Sequence, residues 1–332
     1  MATIYEVAAL AGVSPATVSR VVNGLKVSPE KAQLVRDAAA HLKFTPNRTA
    51  RTLRRQNSEV IALILPDIEN PYFTSMMRGV EDVAQAAGYS VVVGNTDEDP
   101  EKEAKYLDIA VSENMAGVII APASDHTDLT EYLGKNRPVV AVDRGTRFDV
   151  DAVMMSNRPG GRAAAQSLKD AGYRRIACIT GPHDIETAME RSFGWREVVS
   201  PSRAPWPESE EYLRYSTFRV DGGREAMEEL LALPEPPDAV VAANNLMGVG
   251  VLQVLTERDL TPPKFGVAVV GDLPFTTLSP TAVTIVRLPV RHMGTTAAKM
   301  LMERIEGDVQ PSRTVVLRNE VVDAVPGASL TR

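Results

Sequence analysis

Along the first 44 residues, apolar side chains recur every three or four positions, which is the spacing of short amphipathic helices. The first helix is predicted to begin after Thr3 and to end at Gly12. The second begins at Ser14, with Pro15 in its first turn, and the third begins in the same way at Ser28-Pro29. Their apolar stripes consist of Ile4, Val7, Ala8 and Ala11; Val18, Val21 and Val22; and Ala32, Val35, Ala38, Ala39 and Leu42. Three such helices form one small core.

From Val60 onward, the pattern changes to apolar runs of strand length that alternate with amphipathic helical stretches. The first run, Val60 to Leu65, is followed by a helix near residues 72 to 87 and by a second strand that begins at Ser90. Further strands are predicted at Gly117 to Ala121, Val139 to Val142, Ile176 to Thr180, Ala239 to Ala242 and Val267 to Val270. This alternation is typical of parallel sheets flanked by helices. The fold class is therefore a small all-α head followed by an α/β body.

Length and composition narrow the class of protein. The chain has 332 residues, of which 44% are hydrophobic and 24% charged, as in a globular protein of two or three domains. No apolar run approaches the roughly 20 residues needed to cross a bilayer. Neither a basic leader nor a long apolar stretch opens the chain. We therefore expect a cytoplasmic protein with no membrane partner.

Charge is distributed unevenly along the chain, whose net charge is -7. Residues 1 to 58 carry nine basic and three acidic residues, a net charge of +6, whereas the remainder carries -13. Clustered Lys and Arg favour a polyanionic partner because neutralised phosphates release their counterions. A solvated basic surface explains the charge equally well, so charge alone leaves both interpretations open.

No catalytic, cofactor or metal constellation is apparent. The single cysteine, Cys178, lies in an apolar run and is interpreted as a core residue rather than a reactive thiol. Gly79 and Gly160-Gly161 do not form the Gly-x-Gly-x-x-Gly pattern of dinucleotide-binding enzymes. The histidines lack metal-ligand spacing and are interpreted as surface residues: His41, His126, His183 and His292. We expect no enzyme, cofactor or metal.

The first two helices have the arrangement of a helix-turn-helix unit, whose second helix enters the major groove of DNA. Arg20 is the residue predicted to contact a DNA base directly, since a guanidinium can pair bidentately with guanine. Pro15 and Ala16 offer apolar contact, for example with a thymine methyl group. Small polar residues at helix starts suit phosphate contacts, although each is also explained as an ordinary cap. The candidate DNA-binding residues of the head are Thr3, Ser14, Pro15, Ala16, Thr17, Ser19, Arg20, Asn23 and Ser28.

Two segments resemble a known family. Residues 3 to 24, Thr-Ile-Tyr-Glu-Val-Ala-Ala-Leu-Ala-Gly-Val-Ser-Pro-Ala-Thr-Val-Ser-Arg-Val-Val-Asn-Gly, resemble the helix-turn-helix signature of the LacI/GalR family of bacterial repressors. Residues 44 to 55, Phe-Thr-Pro-Asn-Arg-Thr-Ala-Arg-Thr-Leu-Arg-Arg, resemble the hinge that joins the DNA-binding head to the regulatory body in that family. The resemblance extends over the whole chain.

The hinge is too short to form a stable helix in isolation, so we expect it to become ordered only on DNA. The resemblance implies that paired hinge helices of a homodimer enter the minor groove, with Leu53 wedged into the central base step of a palindrome. The alternative is an interdomain linker whose leucine packs on the body. The candidate DNA-binding residues of the hinge are Asn47, Arg48, Ala50, Arg51 and Leu53.

The resemblance also implies two Rossmann-like parallel-sheet subdomains, like those of periplasmic sugar-binding proteins, with an effector in the cleft between them. The chain is expected to cross between them near residues 157, 288 and 311. This gives a helix-turn-helix domain at 1-46 and a hinge at 47-58. The first effector-binding subdomain comprises 59-157 and 289-310, and the second comprises 158-288 and 311-332.

Open α/β sheets bind ligands beyond the carboxyl ends of their strands, and polar residues follow several of the predicted strands. Carboxylates, amides and aromatic faces suit a polyhydroxylated ligand. The candidates from these positions are Asp67, Asn70, Phe73, Asp143, Arg144, Asn245 and Asp272. The resemblance adds an effector-clamping arginine with a nearby tryptophan, a covering aromatic residue and a cleft asparagine: Arg191, Trp195, Phe218 and Asn157. Each residue alone is also explained as a loop cap or a surface residue.

Two departures from the family pattern lie at the expected cleft. Ala243-Asn244-Asn245 stands where the family usually has Ala-Asn-Asp, so an amide replaces a carboxylate. Val270-Gly271-Asp272-Leu273-Pro274 stands where it usually has Val-Gly-aromatic-Asp-Asp. A Pro-rich, charged segment at residues 200 to 211 also departs from the expected pattern. These differences indicate an effector other than a typical neutral sugar.

Together these features predict a bacterial transcription regulator, with repression as the favoured direction. It would bind a double-stranded palindromic operator as a homodimer, and so associate with the nucleoid, under allosteric control by a sugar-like metabolite. The absence of a visible heptad zipper after Val325 favours a dimer over a tetramer. The competing classes are a solute-binding module, which the basic head opposes, and a sugar- or nucleotide-modifying enzyme, which lacks a catalytic group.

Overall fold

A computed structural model describes residues 2–22, 26–44, 58–124, 126–200, 210–273 and 282–325. The chain divides at Ser58 into two compact units. Five predicted hinge residues and one residue of the head lie outside the described residues: Asn47, Arg48, Ala50, Arg51, Leu53 and Asn23. None of the helices in the described ranges has both the length and the apolar character needed to cross a membrane.

The first unit contains the three predicted helices: α1 (Ile4–Ala11), α2 (Pro15–Val22) and α3 (Pro29–His41). The Thr3 hydroxyl accepts from the Glu6 backbone N–H at 3.3 Å, and the Glu6 carboxylate accepts in return from the Thr3 N–H at 2.7 Å. Gly12 ends α1 in the left-handed region at φ 64°. The helices bury a core of Val7, Ala8, Ala11, Val18, Val35 and Ala38.

The described residues of the second unit form two six-stranded sheets. The strands are β1 (Val60–Leu65), β2 (Ser90–Asn95), β3 (Gly117–Ile120), β4 (Val139–Val142), β5 (Asp151–Met155), β6 (Ile176–Thr180), β7 (Leu213–Tyr215), β8 (Ala239–Ala242), β9 (Gly266–Val270), β10 (Thr284–Arg287), β11 (Thr314–Leu317) and β12 (Glu320–Val322). The first sheet has the order β11-β5-β4-β3-β1-β2, and the second has the order β12-β10-β9-β8-β6-β7. The pairings are parallel except for β10 with β12. The α/β fold class predicted for the body is confirmed.

Helices follow most of the strands and cover the sheets. They are α4 (Pro71–Ala86), α5 (Pro100–Ser112), α6 (Thr130–Gly134), α7 (Asn157–Asp170), α8 (Glu186–Val199), α9 (Val220–Leu231), α10 (Asn245–Glu257) and α11 (Val290–Ile305).

Cys178 lies in β6 and is fully buried, which supports its interpretation as a core residue. Burial raises the pKa of its thiol to about 12, so the thiolate that reacts with electrophiles does not form near neutral pH.

The strands predicted from continuous apolar runs are present, and the strands that were missed share a physical reason. β7, β11 and β12 lie at sheet edges and have three or four residues, so they need no continuous apolar run. β5 alternates buried and half-buried positions, and β10 is a run of only four residues. The predicted strands β1, β3, β4, β6, β8 and β9 are buried along almost their whole length, whereas the edge strand β2 is partly exposed.

The third crossing between the sheets differs from the prediction. β11 pairs in parallel with β5 in the first sheet, so the chain crosses between Leu317 and Glu320 rather than near residue 311. A buried ion pair explains why: Asp151 accepts from Arg304 at 2.8 and 2.9 Å and from the Arg313 backbone N–H at 2.9 Å. These contacts hold the segment before β11 on the first sheet, so residues 311–317 belong to the first subdomain.

Two glycines allow the backbones of α7 and α8 to touch each other. A Cβ atom added at Gly161 would collide with the Arg191 carbonyl oxygen, and one added at Gly194 would collide with the Arg158 carbonyl oxygen. Both obstacles are backbone atoms of the opposite helix, which cannot turn aside as a side chain can. The close approach therefore fixes the backbone of α8 at Arg191.

We expect Gly161→Ala to destabilise the protein by about 1–3 kcal/mol, because the added methyl group forces α7 and α8 apart. Urea unfolding monitored by circular dichroism measures this change. Gly134→Ala is the matched control, since nothing lies within 4 Å of its Cβ position and no positive φ strains it. Equal stability of the two variants would show that the helices separate without cost.

Candidate functional site

A cavity of about 610 Å³ lies between the two sheets, beyond the carboxyl ends of their strands. The loops that follow β1, β2 and β4 line it from the first sheet, and those that follow β6 to β10 line it from the second. Nine of the predicted effector residues line the cavity: Asp67, Asn70, Phe73, Asp143, Arg144, Arg191, Phe218, Asn245 and Asp272. Residues from distant parts of the sequence therefore meet in one cleft.

Arg191 is the buried cation of this cleft, with 5% of its surface exposed. Its Nε donates to Oδ1 of Asn157 at 2.9 Å, and its Nη1 donates to the carbonyl oxygen of Ala243 at 2.7 Å. Burial lowers the pKa of Arg191, and the nearby Asp143 and Tyr72 oppose that change. Two of its three nitrogens are thus held in place by neutral acceptors.

A second polar cluster forms the wall from the first sheet. Tyr72 donates its hydroxyl to Oδ1 of Asp143 at 2.5 Å, and Arg144 forms a bidentate pair with Glu98 at 2.6 and 2.7 Å. Burial and the Asp143 carboxylate raise the pKa of Tyr72 well above its ordinary value. Tyr72 therefore keeps its proton and holds Asp143 in one orientation.

Aromatic rings supply the apolar surface of the cavity. Phe73 meets Tyr72 edge to face, with ring centroids 5.0 Å apart. The ring of Phe218 lies directly against the backbone of Gly181, where a Cβ atom would collide with it. The cavity thus combines flat apolar faces with convergent polar groups, the composition expected of a site for a small hydroxylated ligand.

Among the described residues, three sets of contacts join the two sides of the cleft. Asn245 donates to Oδ1 of Asn70 at 2.9 Å, where both side chains are buried. Arg219 approaches Asp67 at 3.6 Å and Glu69 at 3.7 Å. The Gly145 backbone N–H donates to the Glu186 carboxylate at 3.0 Å. Any change in the angle between the subdomains must alter these contacts.

In the first unit, the start of α2 presents the residues predicted to read DNA. Pro15, Ala16 and Arg20 are exposed, and Val18 is fully buried on the opposite face. The Ser14 and Thr17 hydroxyls lie 2.9 Å apart, and the Thr17 N–H donates to Ser14 Oγ at 3.2 Å. α2 therefore has one face in the core and one open to a partner.

Comparison with known protein families shows which family the chain belongs to. Residues 3–47 match the family of bacterial regulatory proteins of the lacI type, and residues 58–321 match the family of periplasmic binding proteins and sugar-binding domains of LacI proteins. The chain belongs to the LacI family. This family consists of transcriptional repressors rather than enzymes, and its body is a periplasmic-binding-protein-like sugar-binding domain.

Named relatives span almost the whole chain. The ribose operon repressor of Bacillus subtilis (strain 168) is 34% identical over 305 residues, covering 91% of each protein. That of Escherichia coli (strain K12) is 32% identical, covering 92% of this chain and 93% of the relative. The structure of a CelR-cellobiose complex is 30% identical, with a TM-score of 0.71 and coverage of 97% and 98%. A Lac repressor structure, 24% identical, shares the fold with a TM-score of 0.84 and the same coverage.

Two of the predicted effector residues do not line the cavity between the two sheets. Trp195 is fully buried in the core, and its indole N–H donates to the Ile176 carbonyl at the start of β6 at 3.0 Å. Asn157 lies behind Arg191 and accepts from it, so it positions the arginine instead of facing the cavity. The resemblance places Trp195 near Arg191, but the packing shows that its ring points into the core.

Several cavity residues were not among the predicted effector residues. Tyr72, Glu98, Thr187, Arg219 and Asn244 all line the cleft. Tyr72 directly precedes Phe73, and Asn244 precedes Asn245, so each lay beside a predicted residue. Glu98 follows β2 in the stretch Thr96-Asp-Glu-Asp, where the same rule of polar residues after a strand applies. Arg219 directly follows the predicted Phe218, but its ion-pair partners, Asp67 and Glu69, lie on the opposite sheet.

Proposed function

We propose that this chain is a transcriptional repressor that binds a palindromic operator as a homodimer. A small, sugar-like metabolite in the cleft changes its affinity for DNA. The observation that carries this proposal is that nine predicted polar and aromatic residues converge on one cavity, in a chain that also contains a helix-turn-helix head. Seven of them were predicted from their positions after strands, and Arg191 and Phe218 from the family resemblance. Relatives named as ribose operon repressors support a sugar-like effector. The proposed site of action is the bacterial cytoplasm.

The head supplies DNA recognition through α2. Its exposed Arg20 is proposed to read a guanine, while Pro15 and Ala16 contact apolar base edges. Thr3, Ser14, Thr17, Ser19 and Ser28 are proposed phosphate contacts. Since Thr3 already caps α1 together with Glu6, its hydroxyl would serve both the helix and the DNA. The +6 charge of residues 1–58 contributes affinity that depends steeply on salt.

Control by the effector follows from linkage. A ligand that binds one arrangement of the subdomains more tightly shifts the population toward it, and DNA alters ligand affinity by the same factor. The contacts of Asn70 with Asn245 and of Arg219 with Asp67 span the cleft, so ligand binding between the sheets must compete with them or add to them. The arrangement of the subdomains would in turn set whether the two hinge segments of a dimer pair on the operator.

Selection from a random library of double-stranded DNA, performed with the full chain at two salt concentrations, tests the function. We expect enrichment of a two-fold palindrome and affinity that falls steeply with salt. Selection is repeated with sugars, nucleosides and sugar acids, in case DNA binding requires a corepressor. If no sequence is enriched under any of these conditions, the proposal fails, and a ligand-binding protein without operator recognition takes its place.

Leu53→Ala is expected to weaken binding to the selected operator by about 1–3 kcal/mol while leaving binding to unrelated DNA nearly unchanged. The reason is that an apolar wedge gains energy only where a flexible central base step opens. Fluorescence anisotropy with both DNAs measures the two affinities. Gln56, which belongs to the same hinge and is not a candidate DNA contact, provides the control variant Gln56→Ala, which retains Leu53. Equal losses on both DNAs would contradict the wedge role.

A further inference from the structure

We infer that Glu186 is a positioning residue of the cleft, which sets the angle between the two sheets through a hydrogen bond outside the cavity. Glu186 is the first residue of α8, which follows β6 of the second sheet. Its carboxylate accepts from the backbone N–H of Gly145, in the loop after β4 of the first sheet, at 3.0 Å. Glu186 and Gly145 both lie outside the set of residues that line the cavity. This contact between the sheets therefore involves no group that an effector would touch.

The hydrogen bond joins the two segments that carry the charged walls of the cavity. Gly145 directly follows Asp143 and Arg144, and Glu186 begins the helix that carries Arg191. Asp143, Arg144 and Arg191 all line the cavity. Loss of the contact between Glu186 and Gly145 would therefore allow these walls to move relative to each other. The inference rests on the proposed function, since it assigns Glu186 to the positioning of the proposed effector site.

The loop that contains Gly145 is fixed on the first sheet. Arg144 donates to the carboxylate of Glu98 at 2.6 and 2.7 Å, and its backbone N–H donates to the Val142 carbonyl oxygen at 2.7 Å. Asp143 adopts φ 65°, a conformation that costs energy for a residue with a side chain and persists only where the surroundings enforce it. Gly145 follows this constrained turn, so the first sheet determines the direction of its N–H.

The carboxylate of Glu186 lies as close to the loop as a glycine allows. A Cβ atom added at Gly145 would lie 3.3 Å from Oε2 of Glu186, which is closer than most real contacts of a Cβ atom. Glu186 also lies in the first turn of α8, where a negative charge favours the helix through its dipole. A test must therefore separate the contact with Gly145 from an effect confined to α8.

Two further contacts between the sheets limit the effect of losing this hydrogen bond. Asn245 donates to Oδ1 of Asn70 at 2.9 Å, and Arg219 approaches Asp67 at 3.6 Å. Both contacts remain when the Glu186 side chain is shortened. We therefore expect the balance between arrangements of the two sheets to shift, with the fold of each sheet unchanged.

Glu186→Asp separates the two roles, because it keeps a negative charge in the first turn of α8 but withdraws the carboxylate from Gly145. Double electron–electron resonance measures the arrangement in the full chain, between nitroxide labels at Lys105→Cys on α5 and Glu225→Cys on α9, both exposed positions. Cys178 stays unlabelled because it is fully buried. We expect Glu186→Asp to raise the ratio of longer to shorter distances by about two- to tenfold, the factor for one hydrogen bond.

Glu131→Asp is the matched control, since it makes the same change in the first turn of α6, where Glu131 pairs with Lys135 at the surface. It should leave the distances unchanged. The comparison is repeated with Arg219→Gln, which removes a second contact between the sheets and makes longer distances easier to detect. Distances that Glu186→Asp leaves unchanged in both backgrounds overturn the inference, and so does an equal shift in Glu131→Asp. Neither DNA nor effector is needed, so this inference and the proposed function fail independently.

Discussion

Replacement of Arg191 by glutamine is expected to weaken effector binding by about 1.5–3 kcal/mol, roughly ten- to a hundredfold in Kd. The reason is that a charge-assisted hydrogen bond inside a buried cleft is lost, while the glutamine amide fills part of the same space. Asn157 and the Ala243 carbonyl hold the guanidinium in place. The effector would then no longer change operator affinity at concentrations that saturate the wild-type protein.

Fluorescence anisotropy on the selected operator measures this loss, with and without the sugar, nucleoside or sugar acid that binds the wild-type protein most tightly. Arg224→Gln serves as the matched arginine control and should respond like the wild type, because its ion pair with Glu257 lies on the surface. Thermal unfolding of the unliganded variants separates weaker binding from loss of the fold. A wild-type response from Arg191→Gln would remove this arginine from the proposed effector site.

Asp151→Asn is expected to destabilise the second unit by about 3 kcal/mol. The substitution leaves Arg304, whose side chain is only 14% exposed, without its buried counter-charge. It also weakens the acceptor of the Arg313 N–H that anchors the segment before β11. This loss of stability is at the low end of the range for breaking a buried ion pair. The reason is that Arg304 keeps its hydrogen bonds to the carbonyl oxygens of Asp308 and Pro311.

The effect of Asp151→Asn should depend on pH. Burial alone would raise the pKa of Asp151, but the hydrogen bonds from Arg304 and from the Arg313 backbone outweigh it and lower the pKa below its ordinary value. The stabilisation is therefore fully present above about pH 5 and is lost as the pH falls below about 4. Urea unfolding at both ends of this range should show the gap between wild type and variant narrowing in acid.

Glu257→Gln is the matched control for this series, since it removes the carboxylate of an exposed ion pair with Arg224. It should change stability little at neutral pH because solvent screens such pairs. A gap between wild type and Asp151→Asn that stays constant from neutral to acid pH would contradict the assigned role of the ion pair.

Much of the fold was predictable because helix caps and apolar patterns are visible within a few residues of sequence. Thr3, Gly12 and Pro15 mark helix ends through their own backbone preferences, and each lies where the pattern places it. Strands such as Val60–Leu65 are buried on both faces and therefore appear as continuous apolar runs. β11 could not be assigned in this way, since its position depends on pairing with a strand about 160 residues earlier.

The part of the candidate site that was predictable consists of residues that directly follow the strands of a parallel sheet. Asp67, Asp143 and Asn245 were predicted because polar residues after parallel strands converge on one edge of a sheet. Trp195 and Asn157 were not placed correctly, since the choice between cavity and core depends on which way a side chain points from α8 and α7. Arg219, which directly follows the predicted Phe218, was missed because its ion-pair partner Asp67 lies in the other subdomain.

The sequence by itself determined the helical head, the α/β body, the LacI kinship and most of the residues of the cleft, because periodicity, capping and residue type act over a few positions. Only the tertiary structure decided that the third crossing falls after Leu317, that Trp195 is a core residue and that Arg191 is buried and held by Asn157 and the Ala243 carbonyl. Each of these depends on distances between segments far apart in the chain. Such distances are set by packing, which no local pattern encodes.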